Sequence, residues 1–338
     1  MASKKLLSLV AYLPFVVAGL GFPMAFGGRL ADAGAELPVK AMAISEFRPG
    51  AGRLFGRLEF MGGLSLATPK GEMGAVSSIR LTDGGKRFIS VMDTGHWATG
   101  AIERDAEGAL SGISDYRIYD MLGRDGRPGD KRHMDAEGIA LDEGHVYVSY
   151  EGDHRIDAYP RPGFETSTPV STERPVLAAE RLKNNGGMEA LLKAPDDSAL
   201  GGALFYVAER SYDTAGNFIA GVQSGPRKGN FTVERAAPYD VTDGVALDDG
   251  SFVLLERKFG LQAGIGMRIR RFMLDDVEPG ALVKGDVVME GVFPAQIDNM
   301  EGIDAYKAED GSTRLIVVSD DNHNLLERNL MLEFKLMP

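Results

Sequence analysis

Acidic side chains recur in this sequence in pairs, one at the start of a short apolar strand and one at the end of the next strand. We call the first member of each pair the opener and the second the closer; one opener carries a hydroxyl in place of a carboxylate. The openers are Ser77, Glu137, Glu189, Asp243 and Glu301. The closers, each directly after a hydrophobic run, are Asp93, Glu151, Glu209, Glu256 and Asp320. Carboxylates that face one another in a confined space repel, which raises their pKa values or recruits a cation.

A hard ion such as Ca²⁺ is the natural counter-charge, because it accepts six to eight carboxylate, carbonyl and water oxygens. The sequence predicts that the nine acidic openers and closers lie near one another as candidate ligands. A plainer interpretation stays open beside this one. Each acid could instead accept hydrogen bonds from loop N–H groups of a neighbouring repeat and hold the repeats in register with no ligand.

Basic and imidazole side chains follow the closers at fixed distances. His96, His154 and His323 each lie three residues after a closer, whereas Arg210 and Arg257 directly follow one. Arginine binds an oxyanion through charge-assisted hydrogen bonds, and histidine transfers protons near neutral pH. We therefore expect these five residues to serve as the catalytic set. Alternatively, the imidazoles cap turns and the arginines pair with acids across repeats.

The elements that must position these residues recur with the same period. Successive openers are 52 to 60 residues apart, and each interval reads as about four short strands separated by turns, with 175–179 expected as the last strand of the second repeat. Such a period is typical of a β-propeller, in which equivalent positions on successive blades ring a central channel. A sandwich or a solenoid would also give recurrent short strands.

The blade count follows from the two ends of the repeat region. The last repeat is one strand short, and the segments 42–47 and 57–66 can supply the missing strand, as propellers commonly close their ring. We therefore predict an all-β propeller of five blades whose N-terminal strand completes the C-terminal blade. A sixth blade built from residues 39–75 is the alternative.

Composition and the N-terminus indicate the compartment. Lys4 and Lys5 precede an apolar run over 6–26, which predicts a signal peptide over 1–33, or else an uncleaved anchor, followed by one domain over 34–338. The folded part is thus expected in the periplasm or secreted, with no other membrane contact. Zero cysteines exclude disulfides and sulfur-ligated metals. The net charge of −12 repels nucleic acid, and we expect a monomer.

Several segments together resemble a known family. They are Met61-Gly62-Gly63-Leu64, Asp135-Ala136-Glu137-Gly138, Val253-Leu254-Leu255-Glu256-Arg257, 296–302 and Val318-Ser319-Asp320-Asp321-Asn322-His323. In combination they resemble the phytase-like propeller family, whose bacterial members are called esterase-like activity of phytase proteins, from about residue 40 to the end. The resemblance implies a β-propeller outside the cytoplasm and hydrolysis of phosphate or carboxylic esters. The chain lacks the paired aspartates before proline and alanine that mark β-propeller phytases, so their catalytic residues are not carried over.

The leading functional hypothesis is a hydrolase that binds a divalent cation, Ca²⁺ first, and cleaves a small anionic ester at the acidic mouth of the channel. The metal would polarise the ester and activate a water, which suits a site with no credible side-chain nucleophile. The alternative is a non-catalytic propeller that binds a sugar, a peptide or an envelope partner, with the acids serving architecture.

Overall fold

The computed structural model describes residues 34–129, 131, 133–260, 264–324 and 326–338. The expected signal peptide over 1–33 lies outside the described residues. Within them the structure is all-β, with three single-turn 3₁₀ helices at Phe164–Thr166, Ala179–Arg181 and Leu274–Asp276. None of the helices in this part of the chain is long and apolar enough to cross a bilayer.

The first two blades are antiparallel sheets formed by consecutive strands. Blade 1 contains β5 (Val76–Thr82), β6 (Arg87–Met92), β7 (His96–Arg104) and β8 (Leu110–Asp120), with β1 (Glu36–Leu37) at its outer edge. Blade 2 contains β9 (Ala136–Leu141), β10 (His145–Tyr150), β11 (Arg155–Pro160) and β12 (Ser171–Glu173). The outer strand of blade 2 thus ends at Glu173, and the prediction of a strand over 175–179 is wrong. Pro175 within that segment has no N–H to donate to a strand ladder.

The next two blades repeat the pattern with longer second strands. Blade 3 contains β13 (Ala190–Lys193), β14 (Leu204–Tyr212), β15 (Phe218–Val222) and β16 (Gly229–Val233), with β20 (Leu282–Val283) parallel to β16. Blade 4 contains β17 (Asp240–Ala246), β18 (Ser251–Gly260), β19 (Gly264–Met273) and β21 (Asp286–Val292).

Blade 5 closes the ring with strands from both ends of the chain. It contains β22 (Asn299–Lys307), β23 (Thr313–Asp320), β24 (Asn329–Leu336), β4 (Leu58–Ala67) and β2 (Lys40–Ile44), with β3 (Leu54–Phe55) paired to β4. The open edge of β24 takes β4 as its antiparallel neighbour from Leu336 to Asn329. The predicted closure by an N-terminal strand is confirmed. The alternative sixth blade is not formed, because the strands β2, β3 and β4 of the segment 39–75 join blade 5.

The inner strands β5, β9, β13, β17 and β22 contact one another in turn around the axis. Five apolar clusters fill the five spaces between neighbouring blades. Strand β6 shows how the sequence achieves this: Phe88 and Met92 pack toward blade 5, whereas Ile89 and Val91 pack toward blade 2. Alternate residues of a strand face opposite sides of its sheet. The continuous apolar runs that precede the closers therefore supply the core on both faces of each blade.

Candidate functional site

Openers and closers come together because each inner hairpin has the same register. In blades 1, 2 and 3 the N–H of the closer donates to the carbonyl two residues before the opener, at 2.9 to 3.0 Å. In blade 5 the closer Asp320 pairs with Asn299, which is also two residues before its opener. The register shifts by one residue at the opener, between Met300 and Gly302 in blade 5. Such a bulge leaves the extra residue unpaired and redirects its side chain.

Blade 4 follows this rule with different residues from those that the sequence suggested. Its bulge falls between Val241 and Asp243, and Arg257 pairs with Asp240. The opener of blade 4 is therefore Thr242 and its closer is Arg257. The prediction that Asp243 and Glu256 occupy these positions is wrong by one residue. A slip of one residue turns a side chain to the opposite face of its strand.

Asp243 instead forms a buried ion pair across the channel. Arg80 donates to both of its carboxylate oxygens, at 2.9 and 3.0 Å, and Ser78 Oγ donates to Oδ2 at 2.8 Å. The guanidinium also donates to the carbonyls of Leu191 and Ile303, at 2.9 and 3.0 Å. These contacts link blades 1, 3, 4 and 5. Arg80 also lines a cavity of about 200 Å³ at the opposite end of the channel, so it separates the two mouths.

Glu256 lies inside blade 4 with two arginines. Its Oε2 accepts from Arg268 Nε at 2.6 Å, and its Oε1 accepts from Arg270 Nε at 2.9 Å. The carboxylate is fully buried, and Arg270 is nearly so. This group is a structural ion-pair triad, and the hydrogen-bond partners of the Glu256 carboxylate among the described residues are these two arginines.

The remaining acids gather at one mouth, and the tightest group belongs to blade 2. Carboxylate oxygens of Asp135, Glu137 and Glu151 all lie within 4.8 Å of one another. Glu151 is fixed by the N–H groups of Gly186 and Gly187, which donate to its Oε1 at 2.5 and 2.6 Å. Burial, and then the neighbouring acids, raise the pKa of Asp135 to about 6 and that of Glu137 well above its ordinary value. We call these three residues the acidic triad.

Three buried carboxylate oxygens at the mouth have no hydrogen-bond donor among the described residues. Asp135 Oδ1 is buried and accepts no hydrogen bond within the described part of the chain, and its nearest cation is Lys131 Nζ at 3.8 Å. Asp93 pairs with Lys131 through one oxygen, and its other oxygen is buried without a hydrogen bond from any described residue. Asp320 has one such oxygen too, and its pKa is raised by burial and by Glu301. Buried oxygens without protein donors can accept a water or a cation.

The other half of the mouth is organised by Arg257. Its guanidinium donates to Glu301 Oε1 at 2.5 Å and to Glu209 Oε1 at 3.3 Å, and it also donates to Asn299 Oδ1. Burial raises the pKa of Glu301 to about 7, although Arg257 opposes that rise. Arg257, a residue of blade 4, thus forms ion pairs with acids of blades 3 and 5. The prediction that Arg257 lies in the mouth agrees with this geometry.

Glu189 connects the two halves. Its pKa is raised well above the ordinary value, first by burial and then by Glu137, Glu209, Glu151 and Glu301 in that order. No hydrogen-bond or ion-pair partner of its carboxylate occurs among the described residues. Among the described residues, the mouth thus brings together the carboxylates of Asp93, Asp135, Glu137, Glu151, Glu189, Glu209, Glu301 and Asp320 with the cations of Lys131, Arg210 and Arg257.

The other predicted basic residues lie around this mouth in different settings. Arg210 is partly exposed, and its Nη2 lies 3.0 Å from Glu209 Oε1. His96 hydrogen-bonds Thr94 and lies 3.3 Å from Asp120 Oδ1, so it faces the start of its own hairpin. His323 is exposed in the loop after Asp320, with its backbone N–H on Asp321.

His154 lies beside Gly187, whose N–H donates to Glu151 of the acidic triad. It is buried, and neither ring nitrogen has a hydrogen-bond partner among the residues that the structure describes. A Cβ added to Gly187 would lie 3.0 Å from its Nδ1 and 3.5 Å from Glu151 Oε1. Glycine at 187 therefore allows the imidazole and the Glu151 carboxylate to approach the same peptide.

Lys131, Asp135 and Asn299 of the mouth were not selected from the sequence. Asp135 and Asn299 each stand two residues before an opener, at the position that pairs with the closer. That position is also polar in blade 4, where Asp240 occupies it. A polar residue two places before the opener, present in three of the five blades, could therefore have identified these positions from the sequence.

Without divalent cations, the stability of the protein should fall as the pH rises from about 5 to about 8. Glu301 and Asp135 have folded-state pKa values of about 7 and about 6, against ordinary values of 4.5 and 3.8. In that window the folded protein holds protons that the unfolded chain has released, so the free energy of unfolding decreases with pH. His96, whose pKa is lowered by burial, opposes the trend only below its ordinary value of 6.5. Urea denaturation in chelator should show a loss of a few kcal/mol; a flat or rising profile would contradict these protonation states.

The fold and the mouth together define a five-bladed β-propeller with an acidic axial site. The phytase-like family described as "Esterase-like activity of phytase" matches residues 71–323, about three quarters of the chain. The chain belongs to this family, as the resemblance in its sequence predicted. No curated protein matches the sequence.

Solved propellers resemble the chain only distantly. The endo-arabinase from Bacteroides thetaiotaomicron is 8% identical with a TM-score of 0.47, and the match covers 77% of this chain and 94% of that one. The GH62 α-L-arabinofuranosidase of Coprinopsis cinerea is 11% identical with a TM-score of 0.46, covering 79% and 93%. The RRP9 WD40 repeats are 9% identical with a TM-score of 0.45, covering 88% and 100%. Similarity at this level carries no information about activity.

Proposed function

We propose that this protein is a divalent-cation-dependent hydrolase of phosphate or related esters, acting at the acidic mouth outside the cytoplasm. The observation that carries the proposal is the acidic triad with its unsatisfied oxygens. The charged basic N-terminus followed by an apolar run supports the compartment. The family description supports an esterase-like activity.

The residues present fit a hard cation. Asp135, Glu137 and Glu151 offer oxygens within 4.8 Å of one another, and Asp135 Oδ1 has no competing hydrogen bond from a described residue. The donors are carboxylates, and the chain has no cysteine. Oxygen-only donors favour Ca²⁺ or Mg²⁺ over softer metals. We choose Ca²⁺, because it tolerates irregular geometry and many carboxylate ligands.

The surroundings of the acidic triad, Glu189 and Arg210 suggest a role for each in this reaction. Asp135, Glu137 and Glu151 would hold the ion, which when bound polarises the ester oxygen and lowers the pKa of a water. Glu189, with no hydrogen-bond or ion-pair partner among the described residues, would take the proton from the attacking water. Arg210, the more exposed of the two predicted arginines, would bind the anionic group of the substrate.

Arg257 is better suited to positioning than to substrate binding. Its guanidinium is already engaged by Glu301, Glu209 and Asn299. It would hold Glu301 and Glu209 in place and lower the negative potential of the mouth. Among the histidines, His154 lies beside Gly187, whose N–H donates to Glu151, and it would donate a proton to the leaving group.

A second candidate function is a non-catalytic binding module for a sugar, a peptide or an envelope partner. One observation favours it: two of the predicted acids form structural ion pairs, Asp243 between blades with Arg80 and Glu256 within blade 4 with two arginines. Buried acids can therefore have a purely structural role in this propeller. Under this hypothesis the mouth binds its ligand and leaves it unchanged.

Turnover assays separate the two functions. With about 1 mM Ca²⁺ after chelator treatment, the protein should hydrolyse p-nitrophenyl phosphate or p-nitrophenyl acetate between about pH 5 and about pH 9. Glu189→Gln should lower kcat by about 10²- to 10⁴-fold, the usual contribution of a general base. Asp304→Asn is the matched control, because this buried inner-strand acid with a raised pKa lines the opposite cavity. No turnover of either ester, together with Ca²⁺-dependent stability, would favour the binding module.

A further inference from the structure

An exposed row of large apolar side chains lies beside the acidic mouth on blade 4. Phe259 is 54% exposed, Ile265 is 40% exposed and Phe293 is 80% exposed. Phe259 and Ile265 are direct cross-strand partners in β18 and β19. Gly266 pairs with Val292, which brings Phe293 next to Ile265 at the end of β21. We call these three residues the apolar row.

The apolar row begins next to the mouth. Phe259 lies two residues beyond Arg257 on the same strand, a distance of about 7 Å at the usual rise of a strand. Residues two apart on a strand face the same side, so Phe259 shares the face of β18 from which Arg257 reaches Glu301. In blades 1, 2 and 5 the second strand ends at or before the closer, whereas β18 continues to Gly260. The extension therefore stands above the plane of the carboxylates.

The apolar row also has a direction. The sheet order from the axis outward is β17, β18, β19 and β21, so its three members lie on the second, third and fourth strands. Neighbouring strands are about 4.8 Å apart, which gives a strip roughly 10 Å long that runs outward from the mouth. An extended alkyl or aryl group has these dimensions.

Other occupants fit the strip less well. The three side chains expose roughly 350 Å², given side-chain areas of this class, whereas a stable dimer buries about 800 Å² on each partner. The acidic mouth and the net charge of −12 repel an anionic bilayer. A group attached to the molecule already held in the mouth needs no further binding surface.

We propose that the substrate is an amphipathic ester whose polar head enters the mouth and whose apolar group packs along Phe259, Ile265 and Phe293. This inference rests on the proposed function, because it takes the head group to be the ester that the mouth binds. It specifies the substrate class: an alkyl or aryl ester is preferred to a compact polar one.

Non-hydrolysable alkylphosphonates test the proposal without turnover. Calorimetry with about 1 mM Ca²⁺ should show octylphosphonate binding about 30-fold more tightly than methylphosphonate, a gain consistent with partial burial of seven added methylenes. The double variant Phe259→Ser/Ile265→Thr should bind both with similar affinity. Val287→Thr is the matched control, since Val287 is 52% exposed near the opposite end of β21, and it should keep the gain.

The possible outcomes distinguish a failure of this proposal from a failure of the proposed function. Two results would overturn the amphipathic substrate without contradicting the proposed hydrolase. In the first, octylphosphonate binds no more tightly than methylphosphonate. In the second, the double variant still binds octylphosphonate more tightly than methylphosphonate. Absence of binding at every chain length overturns the proposed function and the inference with it. Binding of neutral vesicles, or a dimer that the double variant abolishes, would assign the apolar row to a membrane or to a second copy and would also overturn the inference.

Discussion

Replacing Arg80 with methionine is expected to lower the free energy of unfolding by about 3 to 5 kcal/mol, the usual cost of leaving a buried charge without its partner. Among the described residues, Asp243 would keep Ser78 and two backbone N–H groups as donors. The carbonyls of Leu191 and Ile303 would lose their guanidinium donors as well. The fall should appear in urea denaturation at neutral pH, and the two mouths should no longer be separated.

An exposed ion pair in the same blade provides the control for Arg80. Arg87 Nη2 lies 2.6 Å from Asp115 Oδ2, and both side chains are more than a third exposed. Arg87→Met should therefore cost less than about 1 kcal/mol. The double variant Arg80→Met/Asp243→Asn should recover part of the loss, because no charge is left buried. Equal effects of Arg80→Met and Arg87→Met would contradict the role assigned to the central pair.

Replacing Glu137 with glutamine is expected to abolish the stabilisation of the protein by Ca²⁺. A ligand that binds only the folded state at about 100 times its Kd stabilises it by about 2.7 kcal/mol. For a chain of this size that corresponds to a rise in Tm of a few degrees. Glu137 belongs to the acidic triad. Burial contributes most to the rise in its pKa, followed by the charges of Glu151, Asp135 and Asp93. Its neutral isostere removes both a ligand oxygen and one negative charge.

The Glu137 variant should also differ from wild type without Ca²⁺. Burial and like charges raise the pKa of Glu137, so glutamine removes a repulsive charge and should raise the Tm in chelator at about pH 8. Asp304→Asn should leave the Ca²⁺ response unchanged, because Asp304 lies at the opposite end of the channel. If Ca²⁺ still raises the Tm of the Glu137→Gln variant, the ion binds at a site other than the acidic triad.

The sequence predicted most of the fold because the repeat depends on local patterns. Apolar runs such as 88–92 must pack on both sides of a blade, and they recur before every closer. The unpaired edge of β24 at Leu332 and Phe334 likewise required a strand from the N-terminus. These features follow from strand geometry alone and need no knowledge of distant contacts.

The site was predicted less completely, for two physical reasons. A β-bulge shifts the frame by one residue, and in blade 4 nothing in the letters Thr242-Asp243-Gly244 shows that Thr242 occupies it. The second reason is the reach of long side chains: Arg80 crosses the axis to Asp243, 163 residues away in the chain. Contacts of that kind are decided by the closed ring and cannot be read from spacing.

The central claim is that the acidic triad binds a hard divalent cation, and calorimetric titration of chelator-treated protein with Ca²⁺ tests it most directly. We predict saturable binding by the wild type, loss of that binding in Glu137→Gln, and unchanged binding in Asp304→Asn. A titration without binding heat, together with a Tm that millimolar Ca²⁺ does not change, would contradict the account.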